Sequence, residues 1–193
     1  MPWEKNFSVE QALDAAMRVF WVQGYATTSM SDLVQAMGIN RGSIYDTFTG
    51  KRQLFISALK RYDGICRQRW LRQLQDRYPP RRAIQALFDG WVEMVLKDRS
   101  RRGCFLTNTA LEMAAHDSEV GEMVARSQKG LERFFCDLIT KGQQDGDISS
   151  TLDPADTARS LLASLIGLLV LSRSRPERRL LETISREAVA ILA

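Results

Sequence analysis

Histidine occurs once in these 193 residues, at His116, and cysteine three times, at Cys66, Cys104 and Cys136. A Cys₂His₂-type site needs residues that the chain does not carry at ligand spacing, so no metal centre is expected. Three scattered cysteines make no disulfide framework and suit a reducing compartment. Catalytic patterning is equally thin. His116 is the only imidazole base, and neither an acidic dyad nor a glycine-rich phosphate loop accompanies it. The reading is of a protein that is not an enzyme and takes no cofactor. An enzyme with Cys104 as nucleophile is the weaker alternative, because His116, beside Asp117 at a helix junction, reads as a solvated turn residue.

Long hydrophobic runs are missing too. The longest, Leu161 to Leu171, already contains Ser164 and Gly167, and it is about half of what a membrane span requires. The first residues lack the basic, apolar, small order of a secretory leader. A cytoplasmic protein with no membrane partner is expected. Nor does any stretch alternate apolar and polar residues convincingly, so helical spacing dominates. No repeat of about 20–50 residues is visible. What remains is an ordinary soluble composition, 45% hydrophobic and 26% charged, long enough to bury a core in one or two domains.

The net charge of +4 is unevenly placed. Residues 1–52 carry five Lys/Arg and five Asp/Glu, residues 53–102 twelve and five, and residues 103–193 ten and thirteen. The basic excess therefore lies behind the segment of most interest, and nucleic-acid binding must be argued from particular charges rather than from the total.

The pattern predicts about nine helices. The first runs from Val9 to about Gly24, opened by Ser8 with Gln11 as a capping pair. A short helix with Met30, Leu33, Val34 and Met37 on one side follows the hydroxyl run Thr27–Ser31, and Gly38 closes it. Ile39 plugs the turn, Asn40 caps the next helix, and that helix, Arg41 to about Phe48, buries only Ile44 and Phe48. A long helix from Lys51 to about Arg77 turns Leu54, Phe55, Ala58, Leu59, Tyr62, Ile65 and Cys66 inward. Tyr78-Pro79-Pro80 ends it. Further helices are predicted over Arg81–Lys97, Cys104–Ala115 and Ser118–Gln144. Another opens at Asp153-Pro154, and Pro176 separates it from the last, which reaches the C-terminus. The expected fold is all-α: a three-helix helix-turn-helix domain over 6–66 and a helical body over 67–193.

Two short helices joined by a glycine turn form a helix-turn-helix. Its second helix must be buried on one side and small or polar on the other to enter the major groove. Arg41, Ser43, Tyr45 and Thr47 meet that demand, and Gly42 allows close approach of the backbone. The helix starts before Ser31 and at Lys51 offer N–H groups to phosphates, with Lys51 and Arg52 adding charge. The segment from Gly24 to Phe55, GYATTSMSDLVQAMGINRGSIYDTFTGKRQLF, resembles the signature of the tetracycline-repressor (TetR) family. The resemblance covers roughly the first 60 residues. It implies an all-helical homodimer on a palindromic double-stranded DNA operator, a ligand cavity in the C-terminal body, and repression relieved by a small-molecule effector. Carried over by position, Thr28, Tyr45 and Lys51 contact phosphates, and Arg41, Ser43 and Asp46 lie where the family reads bases. Ser29, Gly42 and Thr47 complete the expected DNA-binding set. The chain departs from the family at Asp46-Thr47, where aromatic residues or histidine are common, and at Arg52-Gln53, where an acidic residue is typical. Asp46 would be repelled by phosphate unless it accepts from a cytosine amino group.

In the body, Leu161, Leu162, Leu165, Ile166, Leu168, Leu169 and Leu171 make one helix apolar nearly all round. With Leu180, Leu181, Ile184, Val189 and Leu192 of the last helix they suit a four-helix interface between two subunits; an intramolecular core is the alternative. Trp91, Val95, Cys104, Phe105, Asn108, Met113, Phe134 and Leu165 are the candidate effector-pocket residues, with ordinary core packing as the competing explanation for each. The string Gly103–Glu112 resembles a feature of one branch of the family, which includes regulators of genes dealing with reactive electrophiles. A predicted helix N-terminus and the neighbouring Arg101 and Arg102 would favour a Cys104 thiolate, whereas a buried, inert thiol is the alternative. Cys66 and Cys136 read as structural. A DNA-binding architectural protein without an effector would share the reader and the dimer helices but lack an open pocket.

Overall fold

A computed structural model describes residues 8–193, apart from the side chain of Cys66. The expected placement of Cys66 on an apolar helical face, and of a domain start at residue 6, lie outside the described residues. All regular elements among the described residues are helical: α1 (Val9–Gln23), α2 (Met30–Met37), α3 (Arg41–Phe48), α4 (Lys51–Arg61), a π-helical segment (Tyr62–Gln68), α5 (Arg69–Arg77), α6 (Pro80–Lys97), α7 (Phe105–Glu112), α8 (Ser118–Gln144), α9 (Pro154–Ser174) and α10 (Arg178–Ala190). With α4, the π segment and α5 taken as one continuous helix, the helices number nine. The chain divides into two compact units, the first ending at Cys66 and the second beginning at Arg67.

In the first unit, α1 packs on α2 and α4, and α3 on α2 and α4. The apolar stripe of α1 buries Ala12, Ala16, Met17 and Phe20. Phe20 meets Phe55 of α4 edge-on, with ring centroids 5.1 Å apart. The guanidinium of Arg61 grips the carboxylate of Asp14 through two nitrogens, Nη2 to Oδ2 at 2.8 Å being one arm. Those hydrogen bonds hold the Asp14 carboxyl below its ordinary range, against a smaller opposing push from burial.

The π segment changes one expectation. Ile65 does not face inward but is 48% exposed. Bonding from i to i+5 takes an extra residue per turn, so positions after Tyr62 rotate off the face that a continuous α-helix would have kept.

In the second unit, α9 lies against α8, α10, α6 and α7, while α6 also packs on α5, α8 and α10. Phe88 and Phe135 stack at 6.2 Å in the α6–α8 contact. Gln143 donates to the carbonyls of Ser149 and Leu152, both at 2.9 Å, and so ties down the loop before α9. Among the described residues α9 alone is long and apolar enough to cross a membrane by length and composition, with a mean hydropathy of 1.4. Its stripe Ala158, Leu161, Leu165, Leu168, Leu169 and Ser172 is buried, but Ser160, Ala163, Ser164, Gly167, Val170 and Leu171 on another side are exposed or only half-buried.

Candidate functional site

The turn between α2 and α3 is built by short-range bonds. Ser29 caps α2: Asp32 N–H donates to its Oγ at 3.1 Å, and the Asp32 carboxylate accepts from the Ser29 N–H at 2.8 Å. The Ser29 hydroxyl, which also donates to this carboxylate, and the Ser29 N–H hold the Asp32 carboxyl below its ordinary range. Gly38 ends α2 at φ 66, a left-handed conformation in which a side chain would be strained. Asn40 then caps α3 by accepting from the Ser43 N–H at 2.8 Å. A Cβ on Gly42 would stand 3.2 Å from the Asn40 Oδ1, so the missing side chain protects the cap as well as leaving the helix face bare. Ile44 and Phe48 are buried, as their spacing requires.

Opposite them stands a polar face. Arg41, Gly42, Tyr45 and Asp46 are exposed, and Ser43 and Thr47 half-buried. The Arg41 guanidinium lies 5.8 Å from the centre of the Tyr45 ring one turn on, which holds both side chains outward on one face. Tyr45 is 44% exposed and its ring also borders Gly50, at 3.5 Å from where a Cβ would be. Lys51 opens α4, where Gly50 supplies no side-chain cap, and its ammonium sits 4.4 Å from the centre of the Tyr25 ring. Tyr25 as the platform for Lys51 was not singled out from sequence, since nothing in spacing alone brings the two together.

Thr28 and Ser29 differ from the rest of the set. Thr28 is 1% exposed and its hydroxyl donates to the Gly24 carbonyl. The Ser29 hydroxyl donates to the Asp32 carboxylate at 2.7 Å. Both hydroxyl protons are therefore used inside the protein in this conformation.

The second unit holds an apolar cleft of about 40 Å³, lined by Arg67, Trp70, Trp91, Cys104, Thr107 and Leu165 among others. Of the eight candidates, Trp91, Cys104 and Leu165 line it. Phe134 lines a separate, open basin. Val95, Phe105, Asn108 and Met113 border neither, and Asn108 instead donates its amide to the Arg102 carbonyl at 2.7 Å. Arg67, Trp70 and Thr107, which sequence reasoning passed over, come from helices whose relative rotation the hydrophobic pattern does not encode.

Cys104 is 6% exposed and stands at the N-cap position of α7 without a capping bond from its side chain. One of the two cationic neighbours expected to favour its thiolate is engaged elsewhere. Arg102 donates from both its N–H and its Nε to the Asp98 carboxylate, at 2.9 and 3.1 Å. Burial pushes the Asp98 carboxyl up, but these bonds, with one from the Ser100 N–H, hold it below its ordinary range. The charge of Arg102 is thus largely balanced by Asp98.

Comparison with known proteins agrees with this geometry. The family described as "Bacterial regulatory proteins, tetR family" matches residues 12–58, and "Tetracyclin repressor-like, C-terminal domain" matches residues 80–188. The uncharacterized HTH-type transcriptional regulator YezE of Bacillus subtilis (strain 168) is 30% identical over 170 residues, covering 88% of each chain. The HTH-type transcriptional repressor ComR of Escherichia coli (strain K12) is 26% identical over 170 residues, 88% of this chain and 81% of that protein. A cysteine mutant of the TetR family regulator CifR, solved in complex with 26-bp double-strand operator DNA, is 28% identical with a TM-score of 0.87, covering 98% of this chain and 100% of that one. The chain belongs to the TetR family of DNA-binding helix-turn-helix transcriptional regulators.

Proposed function

We propose that the protein is a cytoplasmic, homodimeric repressor that grips a palindromic operator and leaves it when a small-molecule effector enters the cleft of the second unit. The observation that carries the DNA reading is the exposed Arg41–Tyr45–Asp46 face of a helix capped at Asn40. Arg41, Ser43 and Asp46 read bases, with Asp46 accepting from a cytosine amino group. Gly42 and Thr47 let the helix sit deep in the groove, and Tyr45 and Lys51 hold phosphates. Thr28 and Ser29 act by fixing the start of α2, since their hydroxyl protons are committed internally.

Two subunits meet through α9 and α10. The outward side of α9, with Ser160, Ala163, Ser164 and Gly167, allows close helix approach, and α10 adds the half-exposed Leu180 and Ile184. Two-fold symmetry then sets two α3 helices on half-sites about 34–36 Å apart. Effector binding, or modification of Cys104 in the cleft wall, shifts the helix from Lys51 to Arg77 and α8. The π segment supplies the give, as such segments often do at functional positions. A differential affinity of about 1–3 kcal/mol between the two states is enough for control.

Operator binding by the purified protein, with the DNA flanking its own gene as probe, tests the reader. Arg41→Ala is expected to weaken binding by about 1–3 kcal/mol, and Tyr45→Phe by less. Unchanged affinity in both would remove these residue assignments. The narrowness of the cleft favours a second reading, a DNA-binding protein with no effector. In that case no ligand alters operator affinity.

A further inference from the structure

The lining of the cleft is selective in charge. Its walls are aliphatic side chains of α6, α8 and α9 and the indoles of Trp70 and Trp91, packed edge-to-face at 5.5 Å. Among the described residues no carboxylate lines it, and its one charged group is Arg67. The Arg67 guanidinium lies against α8 at Gly130, with Nη2 3.6 Å from where a Cβ would stand. Arg67 and Leu71 also line an open basin of about 270 Å³, which carries Arg72 and Arg133 against the single carboxylate of Asp137. The cleft thus opens at its charged end beside a predominantly cationic basin.

Polar groups inside the cleft point to the same end. Thr107 is 8% exposed and its hydroxyl makes no hydrogen bond among the described residues, while the Thr109 hydroxyl, two residues on, donates to the Phe105 carbonyl at 2.9 Å. Among the described residues no side-chain oxygen or nitrogen is sealed away without a partner, so the Thr107 hydroxyl, in the lining, opens onto the cleft. Gln128, in the same wall, makes no side-chain hydrogen bond either. Both groups can donate to a ligand oxygen as well as accept, and Arg67, which only donates, tips the site toward a ligand that brings acceptor oxygens.

We infer that the effector is an apolar organic anion, a carboxylate whose head lies at Arg67 within reach of Thr107 or Gln128 and whose hydrocarbon part lies along Trp70, Trp91 and α9. The inference rests on the reading of this cleft as the effector site. The five N–H donors of a guanidinium allow Arg67 to hold a carboxylate beside its contacts with the protein. The basin concentrates anions at the entrance and repels cations. At about 40 Å³ the cleft holds only a few waters, so a ligand must spread it, and Trp91, now 6% exposed, will report the change.

Calorimetry and tryptophan fluorescence with three matched probes, decanoate, decanamide and decylammonium, test it on the full chain. Decanoate is expected to bind at least about tenfold tighter than decanamide, and decylammonium not to bind. Arg67→Met brings decanoate down to the affinity of decanamide and leaves decanamide unchanged. Arg67→Lys keeps the preference in part, and thermal melts show whether each variant is folded. Equal binding of decanoate and decanamide to the natural protein, abolished by the cleft-filling Leu131→Trp, would overturn the anion and leave the effector site standing. A preference for decanoate that survives Arg67→Met would overturn Arg67 as the group that holds the carboxylate. Binding by none of the three would overturn both the anion and the effector site.

Discussion

Asp14 and Arg61, 47 positions apart in sequence, join α1 to α4 by a two-pronged ion pair. Solvent reaches both, with side chains 36% and 18% exposed, so the pair is worth no more than about 0.5–1 kcal/mol. Its pH dependence follows from the sign of the shift. The Asp14 carboxyl is lowered in the folded protein, so the stabilisation is present above the unfolded value near 3.9 and is lost as pH falls through the lower folded value. Asp14→Asn is expected to melt earlier than the natural protein at pH 6, and the gap to close toward pH 2. A gap independent of pH would assign the loss to packing. Cys104 yields a second residue-scale test. With Arg102 held by Asp98, the helix start, Arg101 and the cleft remain to distinguish this thiol. Mild alkylation is expected to release operator DNA from the natural protein and not from Cys104→Ser. Equal binding before and after alkylation would return Cys104 to packing. Neither the Asp14–Arg61 pair nor the Asp98–Arg102 pair was read from the sequence, because a contact between charged side chains leaves no periodic trace.

At the scale of elements, the caps and the glycine turn carried most of what could be foreseen. Asn40 followed by a helix burying only Ile44 and Phe48 fixed both the ends and the buried face of α3, because capping and burial are local and periodic. Asn40→Ala is expected to lower thermal stability by about 1 kcal/mol and to weaken operator binding with it. A variant that keeps full stability would deny the cap its role. The π segment was not foreseeable in this way. Its residues satisfy a helical pattern up to Tyr62, and the shift that exposes Ile65 leaves no mark in that pattern. The cleft shows the same limit. The helices around it were each legible, yet their mutual rotation, which selects Arg67, Trp70 and Thr107 over Val95 and Met113, was not. For α9 and α10 the outward faces carry the proposed dimer. Gly167→Glu is expected to yield a monomer by light scattering and to lose operator binding, since a Cβ at Gly167 meets nothing within the chain. A dimer of unchanged strength would place the interface elsewhere.

The whole molecule separates a reading head from a body of different charge. Residues 1–52 carry equal numbers of acidic and basic residues, so a single reader has little general attraction for DNA. In the proposed account its specificity comes from Arg41, Ser43 and Asp46 at base edges, with Tyr45 and Lys51 setting the register on phosphates and a dimer doubling the contacts. Nuclease footprinting on the DNA flanking the protein's own gene examines this most directly. The account predicts two protected half-sites of inverted sequence, centred one helical turn or a multiple of it apart, and their loss together in Arg41→Ala. Diffuse protection that ignores sequence, unchanged in Arg41→Ala, would contradict it and leave a protein that coats DNA without reading it.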